Sequence, residues 1–157
     1  MDPFERYLLI AYKYLSYHSR SEKEIRDKLE SKNAPLVIID RVIQQLLQQR
    51  FINDEELARM WITSRKTLKP KSQRLLTIEL KRKGISKEVI DKVQNEMKLD
   101  KEDDLLSARL LVKRKLSKYS NLPRQEIYQK LGGFLGRRGF NWEIIKKAID
   151  EEIKVIE

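Results

Sequence analysis

Apolar side chains recur along the chain at the three- and four-residue spacing of helices that bury one face. Phe4, Tyr7, Leu8, Ala11, Tyr14 and Leu15 mark a first helix. Ser21 with Glu24 begins a second through a capping box, each side chain accepting from a backbone N–H that the helix start leaves unbonded. Ile25 and Leu29 give that helix its stripe. A third follows Pro35 and carries Ile39, Val42, Ile43 and Leu46. Phe51-Ile52-Asn53-Asp54 breaks the pattern, and Asn53 with Glu56 caps a fourth helix bearing Leu57, Ala58, Trp61 and Ile62. Leu76 and Leu80 mark a fifth, and Val89, Ile90, Val93 and Met97 a sixth. The Asp100 region opens a seventh with Leu105, Ala108, Val112 and Leu116, after which Ser117 to Pro123 reads as a turn. Ile127, Leu131 and Leu135 define an eighth helix, and Ile145, Ala148 and Ile149 a ninth.

These elements repeat. Leu29, Lys32, Ile39, Asp40 and Val42 sit 51 residues before Leu80, Lys83, Ile90, Asp91 and Val93. A third copy follows 55 residues on, with Leu135, Arg138, Gly139, Ile145 and Ala148. Gly84 and Gly139 fall at matching helix ends, where a left-handed residue closes the last turn. The pattern predicts an all-α protein of three tandem three-helix repeats, at residues 1–52, 53–99 and 100–157, forming an elongated, curved array.

Composition narrows the function classes. Five glycines and four prolines in 157 residues leave few turns, consistent with helices on short connections. Without cysteine, disulfides and thiolate metal sites are excluded. No apolar run approaches the roughly 20 residues of a membrane helix, and Met1-Asp2-Pro3-Phe4-Glu5 lacks a basic leader with an apolar stretch. The expectation is a cytoplasmic protein without membrane contact.

Catalytic chemistry is thin. His18 is the sole histidine, beside Ser19 and Arg20 at a helix start, and reads as structural or solvent-exposed. The acids Asp54-Glu55-Glu56 and Glu102-Asp103-Asp104 stand at helix starts, where they suit the helix dipole. There is no phosphate loop. Gly136-Arg137-Arg138-Gly139 has the form of a KH-domain backbone clamp, but that loop needs a surrounding sheet. A helix with small residues ending at Gly139 is the better reading. No catalytic residue, metal site or cofactor is expected.

Charge points to a class of partner. The net charge is +10, which favours an acidic one. Arg65, Lys66, Lys69, Lys71, Arg74, Lys81, Arg82 and Lys83 against Glu79 give residues 65–83 a net of +7. Arg109, Lys113, Arg114, Lys115 and Lys118 give residues 109–118 a net of +5, leaving −2 for the rest. Such clustering marks a binding surface rather than general solubilisation. The candidate binding residues are Arg65, Lys66, Lys69, Lys71, Arg74, Lys81, Arg82, Lys83, Arg109, Lys113 and Lys118, with Arg137 and Arg138.

Three stretches carry a family resemblance. They are Arg20-Ser21-Glu22-Lys23-Glu24-Ile25-Arg26-Asp27-Lys28-Leu29; Phe51-Ile52-Asn53-Asp54-Glu55-Glu56-Leu57-Ala58 with Glu79-Leu80-Lys81-Arg82-Lys83-Gly84-Ile85; and Phe134-Leu135-Gly136-Arg137-Arg138-Gly139-Phe140. In this order and spacing the chain resembles the RecX family, bacterial regulators of the RecA recombinase. His18 stands where many relatives carry arginine, and Ser72 where a glycine is expected in the turn before the fifth helix. The resemblance implies three tandem three-helix repeats. It also implies a monomeric, non-enzymatic protein of DNA repair, homologous recombination and the SOS response. RecX-like proteins bind RecA filaments on single-stranded DNA, lie along the filament groove, and suppress strand exchange and ATP hydrolysis. Affinity for single-stranded and double-stranded DNA would be auxiliary. The competing expectation is a basic three-helix DNA-binding protein without a recombinase partner, reading DNA through residues 72–83. Lysine and arginine dominate that segment, which suits phosphate or acidic protein better than base edges.

Overall fold

Local signals fix where most of the helices begin and end. A computed structural model describes residues 1–156, so Glu157, the end of the third expected repeat, lies outside the described residues. The described residues form helices only: α1 (Pro3–Tyr17), α2 (Glu22–Ser31), α3 (Leu36–Gln48), α4 (Asp54–Thr67), α5 (Gln73–Arg82), α6 (Lys87–Glu96), α7 (Lys101–Tyr119), α8 (Arg124–Arg137) and α9 (Trp142–Ile156). Ser21 caps α2 in a full capping box with Glu24. Asn53 Oδ1 accepts from the Glu56 N–H at the start of α4, 3.1 Å. Asp100 and Asp103 form a second capping box at α7.

The second helix of each repeat closes in the same way. Asn33, Gly84 and Gly139 have φ of 66°, 86° and 93°. In each case the next residue donates back to a leucine carbonyl five positions earlier: Ala34 to Leu29, Ile85 to Leu80 and Phe140 to Leu135, at 3.1 to 3.2 Å. This is the Schellman closure, which satisfies carbonyls that the helix end leaves free. The matching leucines of the sequence repeat are therefore its acceptors. Asparagine serves at the first copy because its short side chain tolerates the left-handed conformation.

Two expectations need correction. Ser117 to Pro123 is not all turn, because α7 continues to Tyr119. Leu116 is buried and Tyr119 packs on the same core, so tertiary burial extends the helix through a serine and a lysine. His18 does not begin a helix: it is the extended C-cap of α1 and is exposed.

The chain gathers into two compact units. One comprises Met1–Met60 with Glu79–Val93, and the other Trp61–Ile78 with the chain from Gln94 on. In the first, Ala11, Ile25, Leu29, Val42, Ile43 and Leu46 are almost fully buried. The Tyr7 hydroxyl donates to the Lys32 carbonyl at 3.2 Å and Arg26 reaches Asp40 at 2.8 Å, tying α1 and α3 to α2. In the second unit, α7, α8 and α9 enclose Ala108, Val112, Leu131, Leu135, Ala148 and Ile149.

Within each unit one repeat is joined to the next by the same device. In the first, Asp54 Oδ1 of α4 accepts from the Glu22 N–H at the start of α2, 3.0 Å, and the Ser21 hydroxyl donates to the Lys83 carbonyl. In the second, Asp104 Oδ1 of α7 accepts from the Gln73 N–H at the start of α5, 2.9 Å, and the Ser72 N–H donates to the Arg138 carbonyl, 3.0 Å. Ser72 also caps its own helix through the Leu75 N–H at 3.1 Å. It thus occupies the place of Ser21 one repeat later, with no positive φ, which is why serine serves where glycine was expected. Pro123 stands at the start of α8 with no side-chain cap.

Burial raises the pKa of Asp54 and Asp104 above the ordinary 3.8. The accepted backbone N–H opposes that shift in both, and nearby carboxylates reinforce it: Glu22 and Glu24 for Asp54, and Asp103 for Asp104.

Candidate functional site

The basic stretches supply more charge than any other part of the chain, and the fold sorts them. In the second unit, the Arg65 guanidinium lies 4.3 Å from the centre of the Trp61 ring. Lys66 pairs with Asp103 at 3.9 Å. Lys69 and Arg74 are exposed and Lys71 is half-buried, around the connection between α4 and α5. Pro70 in that connection is buried, which anchors the loop while its lysines flank it.

Helix α7 splits its basic stretch between two faces. At roughly 100° per residue, Lys113 lies about 40° from Arg109, whereas Arg114 and Lys118 lie about 140° and 180° from it. Arg109 is drawn against α9, with Nη1 3.2 Å from Glu151 and Nε 2.9 Å from Glu152. The Glu152 side chain is only 8 % exposed, so Arg109 balances a carboxylate that water scarcely reaches. Lys113 and Lys118 are exposed. Arg114 Nη1 reaches within 3.5 Å of the Leu68 carbonyl, at the α4–α5 connection.

The end of α8 joins this region. The Ser72 N–H donates to the Arg138 carbonyl, placing the same connection beside Arg137 and Arg138. The Phe134 ring carries the Lys115 ammonium at 4.0 Å and the Arg138 guanidinium at 5.0 Å, cation–π contacts that hold both groups in place. Three stretches far apart in sequence therefore converge in one unit: residues 68–72, the last turns of α7 from Arg114, and the end of α8.

In the first unit, Lys81 and Arg82 are exposed at the end of α5. Lys83 is half-buried, and its carbonyl receives the Ser21 hydroxyl. Arg114 and Lys115 belong to the counted run 109–118 but not to the candidate binding residues, and Phe134 carries no charge for counting to find. Phe134 at α8 and Lys115 at α7 offer no shared signal in sequence, because their contact depends on how the two helices pack.

The arrangement offers ammonium and guanidinium groups, some preset by aromatic rings, and can engage phosphates or acidic protein. No group of three metal-binding side chains occurs among the described residues. No helix among them is long and apolar enough to cross a membrane.

The fold and this surface describe a helical protein of three-helix domains with a basic face. Family models for the first, second and third three-helix domains of RecX match residues 8–46, 53–93 and 102–149. The regulatory protein RecX of Amycolatopsis mediterranei (strain U-32) is 31 % identical over 157 residues, covering 98 % of this chain and 89 % of that protein. The regulatory protein RecX of Bacillus velezensis is 33 % identical over 141 residues, covering 90 % of this chain. The crystal structure of RecX from Lactobacillus salivarius shares the fold with a TM-score of 0.78 at 24 % identity, over 96 % of each chain. The chain belongs to the RecX family. It spans about half the length of the Bacillus relatives, 53 % for that of Bacillus velezensis.

Proposed function

We propose that this chain regulates a RecA-type recombinase by binding its filament on single-stranded DNA, restraining ATP hydrolysis and strand exchange by contact rather than catalysis. The observation that carries this reading is the ordered match of all three RecX three-helix domains along one chain. The convergent basic region of the second unit gives the reading its chemistry. A filament offers nucleic-acid phosphates and acidic protein side by side, and Lys69, Lys71, Arg74, Lys118, Arg137 and Arg138 engage both. Lys81, Arg82 and Lys83 serve as a further contact in the first unit. Sites spread over repeats 1–52, 53–99 and 100–157 make each contact after the first intramolecular, so modest contacts sum to useful avidity. The protein acts as a monomer in the cytoplasm, and bare DNA is its weaker ligand.

The test is a titration of filament ATP hydrolysis at two salt concentrations, beside direct binding to filament and to naked strand. Inhibition with tighter binding to the filament is expected. Inhibition that vanishes when DNA exceeds recombinase would mean simple competition for DNA. Equal affinity for both ligands with no effect on hydrolysis would overturn the reading and favour a DNA-binding protein without a recombinase partner.

A further inference from the structure

A concave surface of the first unit is lined by residues outside both basic runs of the sequence. Ile10, Lys13, Tyr14 and Tyr17 follow one another at helical spacing on α1, and with Lys28 and Lys32 they line a concavity of about 430 Å³. No carboxylate among the described residues lines it. The nearby Asp27 is engaged by Lys23 at 2.8 Å. Tyr14 is held in place, with the Arg20 guanidinium 3.7 Å from its ring centre and the Lys28 ammonium at 5.2 Å. Tyr17 differs. It is 70 % exposed on the last turn of α1, and its ring makes no ring–ring or cation–π contact among the described residues.

We propose that this concavity binds single-stranded nucleic acid, with a base stacked on the Tyr17 ring and adjacent phosphates held by Lys13, Lys28 and Lys32. The proposal deepens the reading above, on which it rests for the presence of a single strand, by assigning that strand a place in the first repeat. An exposed aromatic ring beside a positive groove is the general solution for strands whose bases are unpaired. Every base has a π-face, so the site needs no sequence preference. A duplex keeps its bases stacked inside and offers such a groove phosphates only. The volume falls within the range of small-ligand pockets and accommodates a nucleotide. An acidic peptide would satisfy the lysines and leave the Tyr17 face without a stacking partner.

The experiment measures binding of a short fluorescent oligothymidylate, and of a duplex of equal length, to the full chain over a salt series. Tyr17→Ala should weaken the single strand roughly tenfold, the cost of one stacked base, and leave the duplex and the salt slope unchanged. Tyr17→Phe should restore affinity, because the ring is what acts. Lys13→Glu with Lys32→Glu, both exposed positions, should flatten the single-strand slope of log K against log salt by about 1.4, or 0.7 for each phosphate that is no longer neutralised. Circular dichroism melts check that each variant folds. Unchanged oligothymidylate binding in Tyr17→Ala and in the lysine pair overturns the proposal. Equal losses for strand and duplex in Tyr17→Ala overturn it too, since stacking is then not involved. Variants that lose filament binding but keep oligothymidylate binding would show that the groove holds protein, which also defeats it. Wild-type inhibition of ATP hydrolysis, assayed in parallel, separates these outcomes from failure of the regulatory reading itself.

Discussion

Replacing Asp54 by alanine and by asparagine separates the two things its carboxylate does at the joint between the first two repeats. The Glu22 N–H lies at the first turn of α2, where no intrahelical acceptor exists, and Asp54 Oδ1 sits 3.0 Å away. Alanine removes that acceptor. The donor is partly buried, so its loss costs about 1–2 kcal/mol, which in a chain of this length lowers the melting temperature by about 3–6 °C. Asparagine keeps an oxygen in the same place and removes a charge that burial disfavours. Asp54→Asn should therefore match the wild type within about 0.5 kcal/mol at neutral pH or exceed it.

The pH dependence has a definite sign. Asp54 has a folded pKa raised above 3.8, so the native state holds more protons than the unfolded chain between those two values. The stability tied to that excess is complete below 3.8 and is lost as pH rises through the folded value. Wild-type stability should thus fall relative to Asp54→Asn across that window. Urea titrations at several pH values, with hydrogen exchange at the Glu22 amide, measure both effects. If Asp54→Asn is as unstable as Asp54→Ala, the charge at the helix start matters more than the acceptor. If Asp54→Ala melts with the wild type, the hydrogen bond contributes nothing to the joint and the reasoning fails.

Other expectations follow from single contacts. Ser21→Ala loses both the acceptor for Glu24 and the donor to Lys83, so a cost of about 2 kcal/mol is expected in denaturant melts, above the ~1 kcal/mol of a cap alone. Gly139→Ala should be severe, about 3 kcal/mol or more: its Cβ would overlap Ser72 Oγ and stand 2.8 Å from Leu75 Cβ at a φ of +93°. A melt within a degree of the wild type would contradict that packing. Arg109→Glu should destabilise the second unit by about 1–2 kcal/mol, allowing for partial solvent screening, because it repels Glu151 and strands Glu152. Lys113→Glu, one turn away and exposed, should leave thermal stability within about 0.5 kcal/mol; equal effects of the two would show that the α9 pairs are not maintained.

The helices were legible because their signals are local. The apolar spacing, the Ser21–Glu24 box, the Asn53 cap and the paired positions Gly84 and Gly139 all act within a few residues. Asn33 takes the part of those glycines in the first repeat, and a search for glycine passes over it. The end of α7 is not legible for the opposite reason: serines at 117 and 120 favour a turn locally, and burial of Leu116 with Tyr119 overrides them. Charge runs are visible in sequence, but the direction of each side chain is not. Arg109 belongs to the same run as Lys118 yet is committed to Glu151 and Glu152, its partners more than forty positions away. The groove of Lys13, Lys28 and Lys32 is invisible to counting, because Glu22, Glu24, Asp27 and Glu30 are interleaved with the basic residues so that no run stands out, while none of these acids lines the groove.

The joint between repeats is head-to-tail, and that geometry has no inherent stopping point: what one repeat offers, the next could offer again, to a further repeat or to a second molecule. Ser21 and Ser72 each present an N–H and a hydroxyl at the start of a second helix. Pro123, in the same place on α8, has neither. A loop carbonyl arriving there as those of Lys83 and Arg138 arrive at the earlier serines would meet no donor. One ring thus removes at the third member both the hydroxyl that Ser21 uses and the N–H that Ser72 uses. The joint that Ser21 and Ser72 make with a following repeat is one that the start of α8 cannot make through the same donors.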